Sequence, residues 1–145
     1  MITLRDSIEI KTTPEKIFDF FVHFEENYLA WHPDHVKSYW IGKPAKEGSI
    51  LYCEEYLHGK LHRMKFRITK VELNRKIEYK LSFPMSVICP KGSFIIEPKG
   101  GSCIFTATLS IRFGWLLSKL AKYRLETGKK HMKEEGENLK RLLEG

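Results

Sequence analysis

The stretch IEIKTTPEKIFDFF, residues 8–21, contains the end of a strand and the start of a helix. Apolar residues alternate from Ile2 to Ile10, which is the period of a half-buried strand. Thr13 suits the N-cap of a helix and Pro14 suits its first turn. Phenylalanines then recur at helical spacing. We therefore expect a strand that leads directly into a short helix.

Beyond that stretch the pattern changes to strands. A second short helix is expected over residues 25–31, and the turn signals KPAKEG, HG, LNR and PKGG then separate runs of strand character. Six such runs follow one another: VKSYWIG, SILYCEEYL, KLHRMKFRITKVE, KIEYKLSF, GSFIIEP and SCIFTATLSIRF. From about residue 115 to residue 144 the leucine spacing predicts one long helix, with a break or bend near Gly128.

This order of elements predicts an α+β fold with a seven-stranded antiparallel sheet, two short helices and a long C-terminal helix. Such a sheet is apolar on one face, and the C-terminal helix is the element left to cover that face. Leu139, Leu142 and Leu143 form the apolar stripe with which this helix would pack. A chain of 145 residues suits one domain, so we expect a single domain over residues 1–145.

Composition excludes several classes of protein. With 42% hydrophobic and 30% charged residues, the chain lies in the ordinary globular range, and no apolar run is long enough for a membrane span. The first residues lack the layout of a signal peptide, so we expect a cytoplasmic protein. Cys53, Cys89 and Cys103 are an odd number without C-x-x-C spacing, which indicates buried thiols rather than disulfides or a cysteine zinc cluster.

The net charge of +7 raises the question of nucleic-acid binding. The positive residues are spread along the chain, and their densest run, KLAKYRLETGKKHMK, is interleaved with leucines at helical spacing. A solvated helix face explains that run better than a nucleic-acid surface. We therefore expect neither a nucleic-acid nor a membrane partner, and the sequence leaves the oligomeric state open.

The element order, the start IEIKTTPEKIFDFF and the entry GKPAKEGSILY into the third strand resemble the START-like helix-grip (SRPBCC) superfamily. The resemblance covers essentially the whole chain. It implies a curved sheet that wraps around the C-terminal helix and encloses a deep cavity. One fold of this kind serves many functions, so chemistry must be argued from individual side chains.

The hairpin YCEEYLHGKLHRMKF fixes which side chains face that cavity. A two-residue HG turn, with Gly59 at positive φ, pairs Glu55 with His62 and places both on the apolar face of the strand that carries Met64. A turn one residue longer would put Glu54 on that face instead, and the sequence leaves this alternative open.

The C-terminal helix carries a second polar pair on its buried side. His131 and Glu135 are four residues apart, so their side chains lie about 5–6 Å from each other on one helix face. Buried charge needs compensation, and a divalent ion bound by imidazole and carboxylate groups supplies it. Mixed nitrogen and oxygen ligands suit Zn²⁺ first, with Fe²⁺ or Mn²⁺ as alternatives.

Three motifs together, WHPDH, EEYLHG and HMKEEGENLKRLL, resemble the diacetylphloroglucinol hydrolase family within this superfamily. That resemblance implies zinc bound by His35, Glu55, His131 and Glu135, and hydrolysis of a carbon–carbon bond of an acylphenol. This chain is much shorter than those hydrolases. His32 remains an alternative to His35 as the ligand from WHPDH.

Two functions follow from these observations. The first is a metal-dependent hydrolase of a small acylphenol or diketone-like molecule, in which His62 orients Glu55 or moves a proton. A tyrosine would bind a phenolic substrate, with four candidates: Tyr52, Tyr56, Tyr79 and Tyr123. The second is a non-enzymatic carrier of a small hydrophobic or aromatic molecule. Its cavity would be lined by six residues: Phe66, Ile68, Tyr79, Leu81, Phe105 and Leu109.

Overall fold

A computed structural model describes residues 1–57, 59–112 and 121–144, without the side chains of residues 121–124. The amino end forms strand β1 (Ile2–Ile10), followed by helices α1 (Pro14–Val22) and α2 (Phe24–Trp31). The remaining strands are β2 (His35–Ile41), β3 (Ile50–Leu57), β4 (Lys60–Glu72), β5 (Lys76–Leu81), β6 (Lys91–Lys99) and β7 (Ser102–Ile111). A 3₁₀ turn (Met85–Val87) lies between β5 and β6, and helix α3 (Ala121–Glu144) comes last.

The seven strands form one antiparallel sheet in the order β1-β7-β6-β5-β4-β3-β2. Strands β2 to β7 pair with their sequence neighbours, and β1 closes the sheet by pairing with β7. This is the curved helix-grip sheet expected from the sequence, so the predicted fold class is confirmed.

Helices α1 and α2 begin as their sequences require. The hydroxyl of Thr13 accepts a hydrogen bond from the backbone N–H of Lys16, which caps α1. The buried faces of both helices carry aromatic rings, and Phe21 stacks on Phe94 of β6 at 4.7 Å between ring centroids. This aromatic layer fastens the two helices to the sheet.

Helix α3 packs across the concave side of the sheet, as its leucine stripe predicts. Leu139 is fully buried, and Leu142 and Leu143 pack half-buried against the core. Gly136 lets α3 approach β1 closely, because a Cβ there would lie 3.3 Å from Asp6 Oδ2 and 3.4 Å from Ile8 Cγ2. The helix continues through Gly128 without a break. Its expected beginning near residue 115 falls outside the described residues.

The β3–β4 hairpin has the register expected from a two-residue turn. Leu57 pairs with Lys60, Glu55 with His62 and Cys53 with Met64, and Gly59 has φ of 75°. Residue 58, the other turn residue, lies outside the description. The prediction that Glu55 rather than Glu54 faces the interior is therefore confirmed by the register.

Strand β2 contains an irregularity that the sequence did not indicate. Its pairing with β3 shifts between His35 and Lys37, so that Val36 is an extra residue in the ladder. In a regular strand, side chains alternate, and Val36 would join Ser38 and Trp40 on the inner face. The bulge reverses that alternation: Val36 points outward and His35 points inward, directly opposite Glu55.

A cavity of about 600 Å³ lies between the sheet and α3. Its walls are mostly apolar, and exposed Tyr56, Lys60 and Lys130 mark its mouth. Cysteines 53, 89 and 103 are free and buried, as expected. None of the helices among the described residues has the length and apolar character needed to cross a bilayer.

Candidate functional site

Four side chains converge where β2, β3 and α3 meet. His35 Nε2 lies 3.0 Å from Glu55 Oε2 and 3.0 Å from Glu135 Oε2. His131 Nε2 lies 3.2 Å from Glu135 Oε2 and 3.5 Å from Glu55 Oε2. All four atoms lie within 4.8 Å of one another. Glu55, His131 and Glu135 also line the cavity, so the cluster forms part of its wall.

His35 is held by Tyr28 of α2. Its Nδ1–H donates to the Tyr28 carbonyl at 2.9 Å, and the two rings stack in parallel with centroids 3.9 Å apart. Since Nδ1 carries the proton in this bond, Nε2 is the nitrogen directed at Glu55 and Glu135. The β2 bulge and the Tyr28 carbonyl thus orient this imidazole together.

The hydroxyl of Tyr28 reaches a second member of the cluster. It donates to Glu55 Oε2 at 3.3 Å. Burial raises the pKa of Tyr28, so the hydroxyl stays protonated and remains a donor. One residue therefore positions both His35 and Glu55.

Helix α3 is tied to α2 at the same level. The Trp31 indole N–H donates to the Glu135 carbonyl at 2.8 Å, and the Asn138 amide donates to the Trp31 carbonyl at 2.9 Å. These bonds fix the turn of α3 that carries His131 and Glu135. Their i, i+4 spacing then brings both side chains to the same point.

Charge within the cluster is strongly coupled. Burial alone would lower the pKa of His35, but hydrogen bonds to Glu135 and Glu55 raise it to about 9. Burial acts likewise on His131, and the charges of Glu135 and Glu55 raise its pKa to about 11. Conversely, burial would raise the pKa of each carboxyl, and the two histidines hold the pKa of both Glu55 and Glu135 below the usual range.

These four groups fit a divalent cation. Ligand atoms bonded at roughly 2.0–2.1 Å to one four- or five-coordinate ion lie about 2.9–3.6 Å apart, and the nitrogen–oxygen separations here are 3.0–3.5 Å. His131 Nε2 is buried and aligns with neither carboxylate well enough for a hydrogen bond. Two neutral imidazoles and two carboxylates would balance a +2 ion.

Of the other residues singled out from the sequence, Glu54 lies away from the cluster. It belongs to the outer face of β3, where the Tyr52 hydroxyl donates to it at 2.7 Å. His62 pairs with Glu55 across the hairpin and lines the cavity without belonging to the group of four. Its expected catalytic role remains a prediction.

His32 lies one layer outside the four-residue cluster. Its Nδ1 accepts from the backbone N–H of Asp34 at 3.0 Å, and its Nε2 lies 3.3 Å from Glu134 Oε1. It forms a second group with Asp34 and His131, whose ring centroid is 4.2 Å away. His32 therefore contacts His131 from outside the cluster and is not a neighbour of Glu55.

Five of the six residues expected to line the cavity do so. Phe105 does not: it is buried beneath the wall and stacks against Phe94 and Phe21. Among the candidate tyrosines, Tyr79 and Tyr56 line the cavity, whereas the side chain of Tyr123 is outside the description.

Comparison with known proteins supports the fold and gives the family. Residues 1–144 match the family model described as polyketide cyclase / dehydrase and lipid transport. The chain belongs to this family. No curated protein matches the sequence significantly. The narrower resemblance to the diacetylphloroglucinol hydrolases receives no support from these matches.

Solved structures share the family's fold at low sequence identity. The protein TTHA0849 from Thermus thermophilus aligns with a TM-score of 0.78 at 12% identity, over 97% of this chain and 95% of that chain. Major latex-like protein 151 from Panax ginseng aligns with a TM-score of 0.76 at 11% identity, over 98% and 97%. The di-domain ARO/CYC StfQ from the steffimycin pathway gives 0.77 at 13%, over 99% of this chain and 50% of that one.

Sequence reasoning missed two residues that position the cluster in this member of the polyketide cyclase/dehydrase family, and a third that lies beside the cluster. Tyr28 and Trp31 orient the histidine and glutamate side chains, and Asp34 lies 4.0 Å from His131 Nδ1. The spacing of Phe24, Tyr28 and Trp31 along α2 marks them as core residues. No sequence pattern shows that a carbonyl and an indole N–H would be the groups making the contacts.

Proposed function

We propose that the protein is a metal-dependent hydrolase of a small acylphenol or diketone-like molecule bound in the cavity. The observation that carries this proposal is the convergence of His35, His131, Glu55 and Glu135 through single atoms, next to an apolar space of about 600 Å³. Zn²⁺ suits this donor set best, and Fe²⁺ or Mn²⁺ also fit it.

The reaction adds water across a carbon–carbon bond. Hydroxyl goes to the acyl carbon, which becomes a carboxylic acid, and a proton goes to the ring or chain carbon that leaves. A divalent ion held by the four residues would act as a Lewis acid and lower the pKa of water.

The chain's own residues supply binding and proton transfer. The apolar wall around Phe66, Ile68 and Leu81 suits an aromatic ring and excludes bulk water. His62 is assigned the movement of a proton, because it lies opposite Glu55 on the same wall. Tyr79, buried and protonated, is available as a hydrogen-bond donor to a phenolic oxygen.

Metal content tests the first half of this proposal. Protein purified without chelator should carry close to one equivalent of a transition metal by elemental analysis. Glu135→Gln should lose it, whereas Glu134→Gln, the adjacent carboxylate outside the four-residue cluster, should keep it. Wild-type protein that carries no metal and takes up none on addition of Zn²⁺ would contradict the proposal.

A second candidate function is a carrier without catalysis. The mostly apolar wall and the family description, which includes lipid transport, favour it. Hydrolysis of acylphenols discriminates the two: a carrier binds such compounds and returns them unchanged, with or without metal. A His62→Ala variant that binds substrate normally and turns it over much more slowly would favour the enzyme.

A further inference from the structure

One end of the sheet exposes an unusual apolar segment. Residues 82–90, SFPMSVICP, connect β5 to β6 and contain no charged residue. Within this β5–β6 segment, Phe83 is 81% exposed and Val87 is 57% exposed. The segment is anchored, because Ser82 N–H donates to the Lys65 carbonyl and Arg112 N–H donates to the Ile88 carbonyl. The two apolar side chains are thus displayed to solvent on a fixed base.

Three cationic side chains lie on the strands next to this segment. Lys80 precedes it and Lys91 follows it, and the two are direct cross-strand partners on the outer face of the sheet. Arg67 pairs with Lys80 on the other side, which makes a row of three like charges across three strands. Like charges directly opposite each other are destabilising. Among the described residues none of the three forms an ion pair, although the carboxylate of Glu78, on the same outer face of β5, interacts electrostatically with Lys91. The row of three cations therefore keeps a net positive charge.

The cavity mouth lies at the same end of the molecule. Antiparallel pairing places the β3–β4 hairpin, the β5–β6 segment and the end of β7 at the same end of the sheet. The hairpin extends beyond the segment, because Leu81 at the end of β5 pairs with Phe66. The hairpin contributes exposed Leu61 and, at the mouth, Tyr56 and Lys60. Met85 and Ile88, from the segment that displays Phe83, line the cavity wall.

We propose that this end of the molecule docks on the surface of an anionic lipid bilayer. Phe83 and Val87 would enter the boundary between headgroups and acyl chains, while Lys80, Lys91 and Arg67 contact the lipid phosphates. The cavity mouth would then face the membrane, from which an amphiphilic ligand reaches the cavity without crossing water. This departs from the expectation, drawn from the sequence, of no membrane partner.

A bilayer fits these groups better than a nucleic acid does. Nucleic-acid sites are marked by clustered Lys and Arg. Here the exposed side chains of the connecting segment are apolar, and the cations lie on the strands that lead into and out of it. Two acidic side chains near the mouth have partners within the protein: Glu54 accepts a hydrogen bond from the Tyr52 hydroxyl, and Glu134 lies 3.3 Å from His32 Nε2. The proposal does not depend on metal binding, and its test is made with and without chelator.

Vesicle sedimentation with the full chain tests the proposal. Vesicles of phosphatidylcholine with roughly one third phosphatidylglycerol should bind the protein, and vesicles of phosphatidylcholine alone should bind it much more weakly. The double variant Phe83→Glu with Val87→Glu should bind the anionic vesicles at least about tenfold more weakly. Leu73→Glu is the matched control, because Leu73 is 73% exposed at the opposite end of β4 and β5, and it should bind like wild type.

A variant that changes only charge tests whether weaker vesicle binding comes from misfolding. Lys80→Glu removes the like-charge row, so it should weaken vesicle binding without lowering the melting temperature. Lys46→Glu, in the β2–β3 turn at the far end, makes the same charge change and should leave binding nearly unchanged. The proposal would be overturned if the wild-type protein did not bind anionic vesicles, or if it bound neutral vesicles equally well. Binding to polyuridylate instead of vesicles would also overturn it, as would an equal loss of vesicle binding in Leu73→Glu.

Discussion

Two carboxylate oxygens interact with both histidines of the four-residue cluster. Glu55 Oε2 and Glu135 Oε2 each lie within 3.5 Å of both His35 and His131. Taking two anions out of water is costly unless positive charge accompanies them. Either both imidazoles carry an extra proton or a divalent cation replaces those two protons, and the site as a whole has a net charge of zero in each case.

Tyr28 should affect metal affinity without being a ligand. Tyr28→Phe removes the hydroxyl that donates to Glu55 but keeps the carbonyl that accepts from His35. Loss of such an outer contact typically costs about 10–100-fold in metal affinity. We expect that loss in a competition titration against a chromophoric zinc chelator, with full occupancy at saturating Zn²⁺. Unchanged affinity would show that the hydroxyl does not position Glu55.

Zinc binding should release protons. In metal-free protein the pKa of His35 is about 9 and that of His131 about 11, so both imidazoles are charged at neutral pH. A cation requires them neutral, and its binding therefore expels about two protons. Apparent affinity for Zn²⁺ should therefore rise with pH up to about 9, where His35 loses its proton, and less steeply from there to about 11, where His131 loses its own.

Calorimetry in two buffers of different ionisation enthalpy measures that proton count at pH 7. A Glu134→Gln control should release as many protons as wild type, since Glu134 lies outside the four-residue cluster. A release near zero would mean that the histidines are already neutral, and the coupling described above would be wrong.

At the scale of elements, periodicity and turn chemistry predicted most of this molecule. The HG turn set the β3–β4 register, and that register placed Glu55 inward. The leucine stripe of α3 located the helix and the facing direction of His131 and Glu135. Both inferences work because side-chain direction follows directly from a period of 2.0 or 3.6 residues.

The choice between His32 and His35 could not be made in the same way. Regular alternation along β2 from Trp40 and Ser38 would place Val36 inward and His35 outward. The extra residue at Val36 reverses this, and a bulge of this kind has no signal in the local sequence. The placement of His35 therefore depends on tertiary pairing with β3 rather than on local pattern.

Gly128 offers a test of α3 itself. The helix continues through it, and a Cβ there would meet no atom within 4 Å. Gly128→Ala should therefore stabilise the protein by about 0.5–1 kcal/mol, because glycine loses more backbone freedom than alanine on entering a helix. Urea unfolding at constant m-value measures the change.

Gly59 is the matched control, at which the same substitution should lower the free energy of unfolding. A Cβ there also meets nothing within 4 Å, but its φ of 75° is unfavourable for alanine. Gly59→Ala should destabilise the hairpin by about 1 kcal/mol. If Gly128→Ala destabilised the protein as well, the continuous helical conformation of α3 at this position would be in doubt.

At the scale of the whole molecule, the cavity has one polar wall and several apolar walls. One wall carries the cluster of Glu55, His131 and Glu135, and the remaining walls are largely apolar. The sheet is curved by its own twist and held around α3 by the contacts of α3 with β1 and α2. Because rigid elements supply both walls, ligand binding and metal binding should be separable by mutation.

The substitution Ala107→Phe should weaken ligand binding without affecting metal binding. Ala107 on β7 is half-buried and lines the cavity, so a phenyl ring there projects into the space that we assign to the ligand. Binding of a fluorescent apolar probe such as anilinonaphthalene sulfonate should fall at least about tenfold, while metal content stays at the wild-type level. Leu73→Phe, which adds the same ring at an exposed turn, should change neither quantity. If Ala107→Phe removed the metal and left probe binding intact, the apolar space would not be the ligand site, and the two walls would not be independent.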